Sequence, residues 1–209
     1  IITMVIDHIG YVWYPEAPVW RIIGRLAFPI YAYYVAMSMM RTRNRKLYVR
    51  RLLLLALVSQ IPFSILFQTW TVNVIGTFFI SVSAIYLMER VPNHPLRYLW
   101  MIGAALLMEI IPFDYGAYGL ILLLIYRFMN SHWMWVSHMA LNLIYAVTFL
   151  TPIQLFSVIP TIMFASSRAP AKHTVPRWVW RSFYPVHLAA LYVLTFVIPL
   201  PSSSSWTGH

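Results

Sequence analysis

The chain has 209 residues, 61% of them hydrophobic and only 10% charged, with a net charge of +10. A soluble domain is nearer one quarter charged, and one of this length must still cover its surface with polar groups, so the composition excludes an ordinary soluble core and points to a lipid solvent. There is no cysteine, which excludes a disulfide framework, a thiol nucleophile and a cysteine-based metal site.

In chain order, nine apolar runs approach the roughly 20 residues needed to cross a bilayer: 1–14, 19–40, 51–67, 72–88, 96–111, 115–128, 133–150, 153–166 and 182–200. The first run begins abruptly at Ile1, without a basic lead-in or a small-residue cleavage site, so it is expected to be an incomplete helix rather than a secretory signal. The break at Thr151-Pro152 reads either as a turn between two spans or as a kink in a re-entrant element. The stretch PSSSSWTGH, 201–209, is expected to be a flexible polar tail, of the kind a cloning scar also leaves, outside a single membrane domain of residues 1–200.

With the N-terminus inside, the loops on the inner side carry the charge. RTRNRKLYVRR (Arg41 to Arg51) holds six basic residues, and Arg90, Arg97, Arg127, Arg168, Lys172, Arg177 and Arg181 follow in later inner loops. The outer connections PEAP, QTWT, PFDYGA and TP hold none. Basic residues in short loops face the cytoplasm, so the expected fold is an all-α polytopic bundle of about nine transmembrane helices with a cytoplasmic N-terminus. Topology then accounts for the positive charge, and nucleic-acid binding drops out.

The two basic residues left over are Arg21 and Arg25, an i, i+4 pair on the second run. The first and second runs are joined by a short turn and must be antiparallel neighbours, which sets Asp7 opposite Arg25 as an expected ion pair. Either a packing staple or a site fits that pair, because ionisable groups inside spans need partners in both cases. Arg21, nearer the interface, is expected to reach toward water. Asp7 and His8 point about 100° apart on a helix, so His8 faces another neighbour and can hold a proton near neutral pH.

Other polar residues carry two readings each. Glu109, Asp114 and Tyr115, with Pro112, Gly116 and Gly119, suit a loosened helix end lining a cavity, or an ordinary turn in which Asp114 caps the sixth run. Gln60, Asn73 and Asn142 are expected to be interhelical hydrogen-bonders. Tyr184 and His187 open the last run, where His187 is either a water-facing or a packed histidine. His132 and His138 are six apart, wrong for two ligands on one helix face, and no metalloprotease, P-loop, nucleophile-elbow or dinucleotide signature is present, so no metal is expected.

Taken together, MVIDHIGYVWYPE, WRIIGRLAFPIYAY, NRKLYVRRLLLLALVSQIPF, DYGAYG and FYPVHLAAL resemble, in order and over nearly the whole chain, the TraX family of integral-membrane acetylases named for acetylation of the pilin N-terminus. The resemblance implies a multi-pass protein of the bacterial inner membrane, acetyl-CoA as co-substrate and an amine acceptor, with a peptide or pilin N-terminus favoured over a sugar or small molecule. The chain also resembles, more distantly, multispan acyltransferases in which a histidine on an early span is catalytic, which His8 matches. On that reading Asp7, His8 and Arg25 carry the chemistry: His8 as general base or acetyl carrier, Asp7 supporting it, Arg25 stabilising the oxyanion. Six cations in eleven residues exceed what topology requires, so Arg43, Arg45, Lys46, Arg50 and Arg51 form an expected phosphate clamp for acetyl-CoA, with Tyr184 and His187 on the cofactor side; attraction to anionic lipid explains them equally well. A pantetheine arm of roughly 15–20 Å would span from that clamp to His8, and the acceptor would enter past Trp20, Arg21, Glu109, Asp114 and Tyr115. A small proton-coupled transporter using Asp7, His8 and Arg25 as a relay, and a non-catalytic assembly factor, are the alternatives, although no paired half-repeats support the transporter.

Overall fold

The computed structural model describes residues 1–150, 152–166 and 177–198, with the side chains of 177–181 left aside. The proposed turn residue Thr151, the basic residues Arg168 and Lys172, the side chains of Arg177 and Arg181, and the tail 201–209 lie outside the described residues. The regular elements among the described residues are all helical: α1 (Ile2–Trp13), α2 (Pro18–Arg25), α3 (Ala27–Arg41), α4 (Arg45–Phe67), α5 (Val74–Met88), α6 (His94–Ile110), α7 (Gly116–Phe128), α8 (Ser131–Phe149), a 3-10 helix (Pro152–Ser157), α9 (Val158–Ser166) and α10 (Arg177–Leu194). Each of the nine apolar runs thus becomes a helical rod. The second is divided at Leu26, whose N–H bonds back to Ile23, and the eighth opens with the 3-10 turn.

Two rods, Pro18–Arg41 and Arg45–Phe67, are long and apolar enough to cross a membrane. Others are shorter than the nine-span reading needs: α5 and α7, of 15 and 13 residues, run about 22 and 20 Å against a hydrocarbon thickness of about 30 Å.

The helices group into two compact units, one of Ile1–Tyr31 with the chain from Asn130 onward, the other of Ala32–Met129. In the second unit α5 is central, packed by α4, α6 and α7, and its buried residues run all round the helix. On α4 the polarity is inverted relative to a soluble protein. Its buried stripe, Leu52, Ala56, Ser59, Phe63 and Leu66, includes small and polar residues, while Leu54, Leu57, Val58 and Ile61 on the opposite side are 52–68% exposed. The outer faces of α6 and α8 are likewise leucine-, isoleucine- and valine-rich. Apolar surface this extensive marks contact with lipid or protein.

Loops sort by the side assigned from their charge. In the second unit the connections before α5 and before α7 meet in a short bridge, with Val72 N–H on the Pro112 carbonyl at 2.8 Å and Asp114 N–H on the Val72 carbonyl at 2.9 Å. At the other end, Glu89 at the close of α5 joins Arg45 at the start of α4 and Arg127 at the end of α7.

Asn73 stitches α4 to α5, as its interhelical reading expects. Its side-chain oxygen caps α5 by accepting from Ile75 and Gly76 N–H, and its amide donates to the Ala56 carbonyl at 2.9 Å and to Gln60 at 2.8 Å. Asn73 is fully buried, so Asn73→Ala removes a cap and strands buried acceptors, with an expected loss of about 2–4 kcal/mol. Asn73→Ser, which keeps a cap without the reach to α4, should recover about 1 kcal/mol of it in a denaturant titration in detergent.

Candidate functional site

The site in the first unit starts from two glycines. Helices α1 and α2 form an antiparallel hairpin so close that a Cβ at Gly10 would sit 2.2 Å from the Trp20 Cβ, and one at Gly24 would sit 1.9 Å from Asp7 Oδ1. This register sets Gly24, not Arg25, opposite Asp7. Arg21, one turn back from Gly24 on the same face, therefore makes the ion pair, with Nη1 3.6 Å from Asp7 Oδ1. The expected Asp7–Arg25 pair is corrected accordingly. The Arg21 guanidinium also lies over the Tyr11 ring, 5.3 Å from the centroid, and its side chain remains partly exposed. Trp20 packs on Gly10 and stacks on Tyr14 with ring centroids 5.0 Å apart.

His8 faces the other way, onto α10. Its Nδ1 lies 2.8 Å from His187 Nε2, and the two rings are parallel within 4°. His187 Nδ1 lies 2.8 Å from the Phe183 carbonyl oxygen. A carbonyl only accepts, so His187 donates from Nδ1. In the neutral pair its Nε2 must then accept from His8 Nδ1–H, which leaves the lone pair of His8 on Nε2. A backbone oxygen four residues upstream on α10 thereby selects the tautomer of a histidine on α1. Phe183 stacks on His187 with centroids 4.5 Å apart, and Tyr184 meets both imidazoles edge-on, at 6.4 Å from His8 and 5.4 Å from His187. His187 and Tyr184, expected on the cofactor side, are thus brought to His8; His187 is the packed histidine of its two readings, 8% exposed.

A second polar cluster in this unit was missed by sequence reasoning. His138 and Asn142 on α8 face Ser157 and Thr161: His138 Nδ1 is 2.7 Å from Thr161 Oγ1, its Nε2 is 3.3 Å from Ser157 Oγ, and Asn142 donates to Ser157 Oγ at 2.8 Å. All four are fully buried. The signal was available, since 138/142 and 157/161 are both i, i+4 pairs of polar residues in apolar helices. The interhelical role expected of Asn142 is the one it fills.

In the second unit, the turn between α3 and α4 and the end of α5 enclose an open groove of about 670 Å³. Of the expected phosphate clamp, Arg43, Arg45 and Lys46 line it; Arg50 and Arg51 are exposed farther along α4 and do not. Arg90, read only as a topology charge, lines it too. Glu109 accepts from Ala117 N–H at 2.9 Å and so caps α7. The strongly turned Gly116, at φ 40°, brings the α7 N-terminus onto the end of α6, where Glu109 sits. Asp114 is exposed, its backbone held in the bridge to Val72, and Tyr115 occupies the N-cap position. Among the described residues no three histidine, aspartate or glutamate side chains converge as metal ligands.

The family model described as TraX protein matches residues 1–195. An uncharacterized protein of Rickettsia prowazekii (strain Madrid E) is 31% identical over 87 residues, covering 41% of this chain and 33% of that protein. The match thus spans about a third of the length of this curated relative. No solved structure matches the chain.

Proposed function

The chain belongs to the TraX family, and on that premise we propose that it is a multi-pass inner-membrane acetyltransferase, moving an acetyl group from cytoplasmic acetyl-CoA to an amine, with a peptide or pilin N-terminus as the favoured acceptor. The observation that carries the reading is the hydrogen-bonded chain from His8 through His187 to the Phe183 carbonyl. It leaves a basic nitrogen at His8 Nε2, the arrangement a general base requires.

The steps follow from those residues. The amine attacks the thioester carbonyl carbon, a C–N bond forms, and His8 Nε2 takes the proton the nitrogen must lose. As it does so, the proton on His8 Nδ1 shifts toward His187 Nε2, and the positive charge is shared by two imidazoles backed by a carbonyl dipole. Collapse of the tetrahedral intermediate breaks the C–S bond, and the departing CoA thiolate recovers the proton. Asp7 pairs with Arg21, and in this reading the guanidinium of Arg25 meets the developing oxyanion, where a fixed donor is most effective.

Membrane embedding is supported by the two long apolar rods, the exposed aliphatic faces and the sorting of basic residues to one set of loops. An intramembrane base lets the acetyl group cross without CoA crossing. The test is reconstitution in liposomes with labelled acetyl-CoA sealed inside and an amine-terminated peptide outside; label should appear on the outer peptide. Proton flux without acetyl-CoA, and no label on any peptide, amino sugar or small amine, would overturn the reading in favour of a proton relay.

A further inference from the structure

The groove of the second unit has chemistry that topology does not require. Arg43, Lys46 and Arg90 line it, and among the described residues none of the three has a carboxylate within ion-pair distance. The single acid there, Glu89, has both oxygens engaged, one by Arg45 and the other by Arg127 Nη2 at 2.9 Å. Five cations therefore surround one carboxylate whose charge is already spent. The Arg90 guanidinium lies over the Tyr86 ring, 3.7 Å from its centroid, so less freedom is lost when it binds. The N-terminus of the 23-residue helix α4 opens at the same place, capped by Asn44, and adds the positive end of its dipole. A volume of about 670 Å³ matches a nucleotide-sized ligand rather than a lone ion.

We propose that this groove is a phosphate subsite in which Arg43, Lys46 and Arg90 take the phosphates of the ligand, with Arg45 and Arg127 fixed behind them by Glu89. The proposal deepens the acetyl-CoA reading and rests on it for the name of the ligand; the recognised chemistry is a phosphate diester or pyrophosphate. It narrows the clamp expected from sequence by dropping Arg50 and Arg51 and adding Arg90.

Titration calorimetry on the purified full chain in dodecyl maltoside tests it with inorganic pyrophosphate, CoA and pantetheine, the last lacking phosphate. Arg90→Gln and the Arg43→Gln/Lys46→Gln double variant should each weaken pyrophosphate and CoA about tenfold or more, as expected for loss of charge-assisted contacts. Arg50→Gln/Arg51→Gln should change them by less than about threefold, and no variant should alter pantetheine binding. These side chains are on the surface, so the variants fold. If CoA binds the wild type and every groove variant alike, the subsite is wrong and the acetyl-CoA reading stands. If the groove variants lose pyrophosphate while CoA binds no better than pyrophosphate and no acetyl transfer is detected, the subsite stands and the acetyl-CoA reading fails. If soluble pyrophosphate and CoA do not bind, and groove variants instead lose phosphatidylglycerol retained in phosphatidylcholine/phosphatidylglycerol nanodiscs, the phosphate is a lipid headgroup and a soluble donor at this groove is ruled out.

Discussion

His8→Ala is expected to lower acetyl transfer by roughly 10²–10⁴-fold, the share a positioned general base supplies, while acetyl-CoA binding persists. His187 tests the mechanism more finely. In His187→Gln the side-chain oxygen still accepts from His8 Nδ1–H, so the His8 tautomer survives, but the amide does not take the proton onward. His187→Ala loses both. Turnover should fall in the order wild type, His187→Gln, His187→Ala, with kcat dropping and KM for acetyl-CoA unchanged across the series, since an interaction made only in the transition state lowers kcat and leaves KM alone. A merely structural role for His187 predicts the reverse, glutamine and alanine both reducing the folded fraction without a graded kcat. Wild-type turnover in His8→Ala would remove His8 from the chemistry.

Gly24→Ala is expected to give a large loss of stability for the addition of a single methyl group. The added Cβ meets Asp7 at Oδ1, Cγ and Cβ, at 1.9, 2.3 and 2.6 Å, so rotating the carboxylate away does not clear it; the helices themselves must part. Overpacking of this kind costs about 1–3 kcal/mol, and parting the hairpin also lengthens the Asp7–Arg21 pair. Gly10→Ala, which meets Trp20 at Cβ, should cost a similar amount and leave Asp7–Arg21 intact. Thermal unfolding in detergent measures both losses. Gly103→Ala is the control, because a Cβ there meets nothing within 4 Å. Equal melting temperatures for Gly24→Ala and Gly103→Ala would show that the hairpin is looser than its contacts imply.

Both expectations depend on register, and register is where sequence reasoning stopped. The i, i+4 spacing of Arg21 and Arg25 placed both on one face, and the short turn made α1 and α2 neighbours; neither said which arginine Asp7 would meet. A shift of one helical position moves a side chain about 100°, and the two glycines, by letting the helices approach, chose Arg21. Glu89 shows the same limit. It is the acid on the inner loops amid many cations, yet its partners lie 44 and 38 residues away, on α4 and α7. No local pattern announces them.

What the sequence determined by itself was everything that depends on composition and local order: an all-helical chain, rods at the apolar runs, the sorting of basic loops, membership of the TraX family, and His8 as the histidine to examine. Those properties are written in hydrophobicity and short-range spacing, which act before any tertiary contact forms. The tertiary structure decided the pairings: His8 with His187 across 179 residues, Asp7 with Arg21, Glu109 with the first turn of α7, and a groove that joins Arg43 and Lys46 to Arg90 while leaving Arg50 and Arg51 outside. The physical reason is that hydrogen bonds and ion pairs have a reach of about 3–4 Å, so a partner is chosen by helix packing, to which residues distant in sequence contribute as much as neighbours.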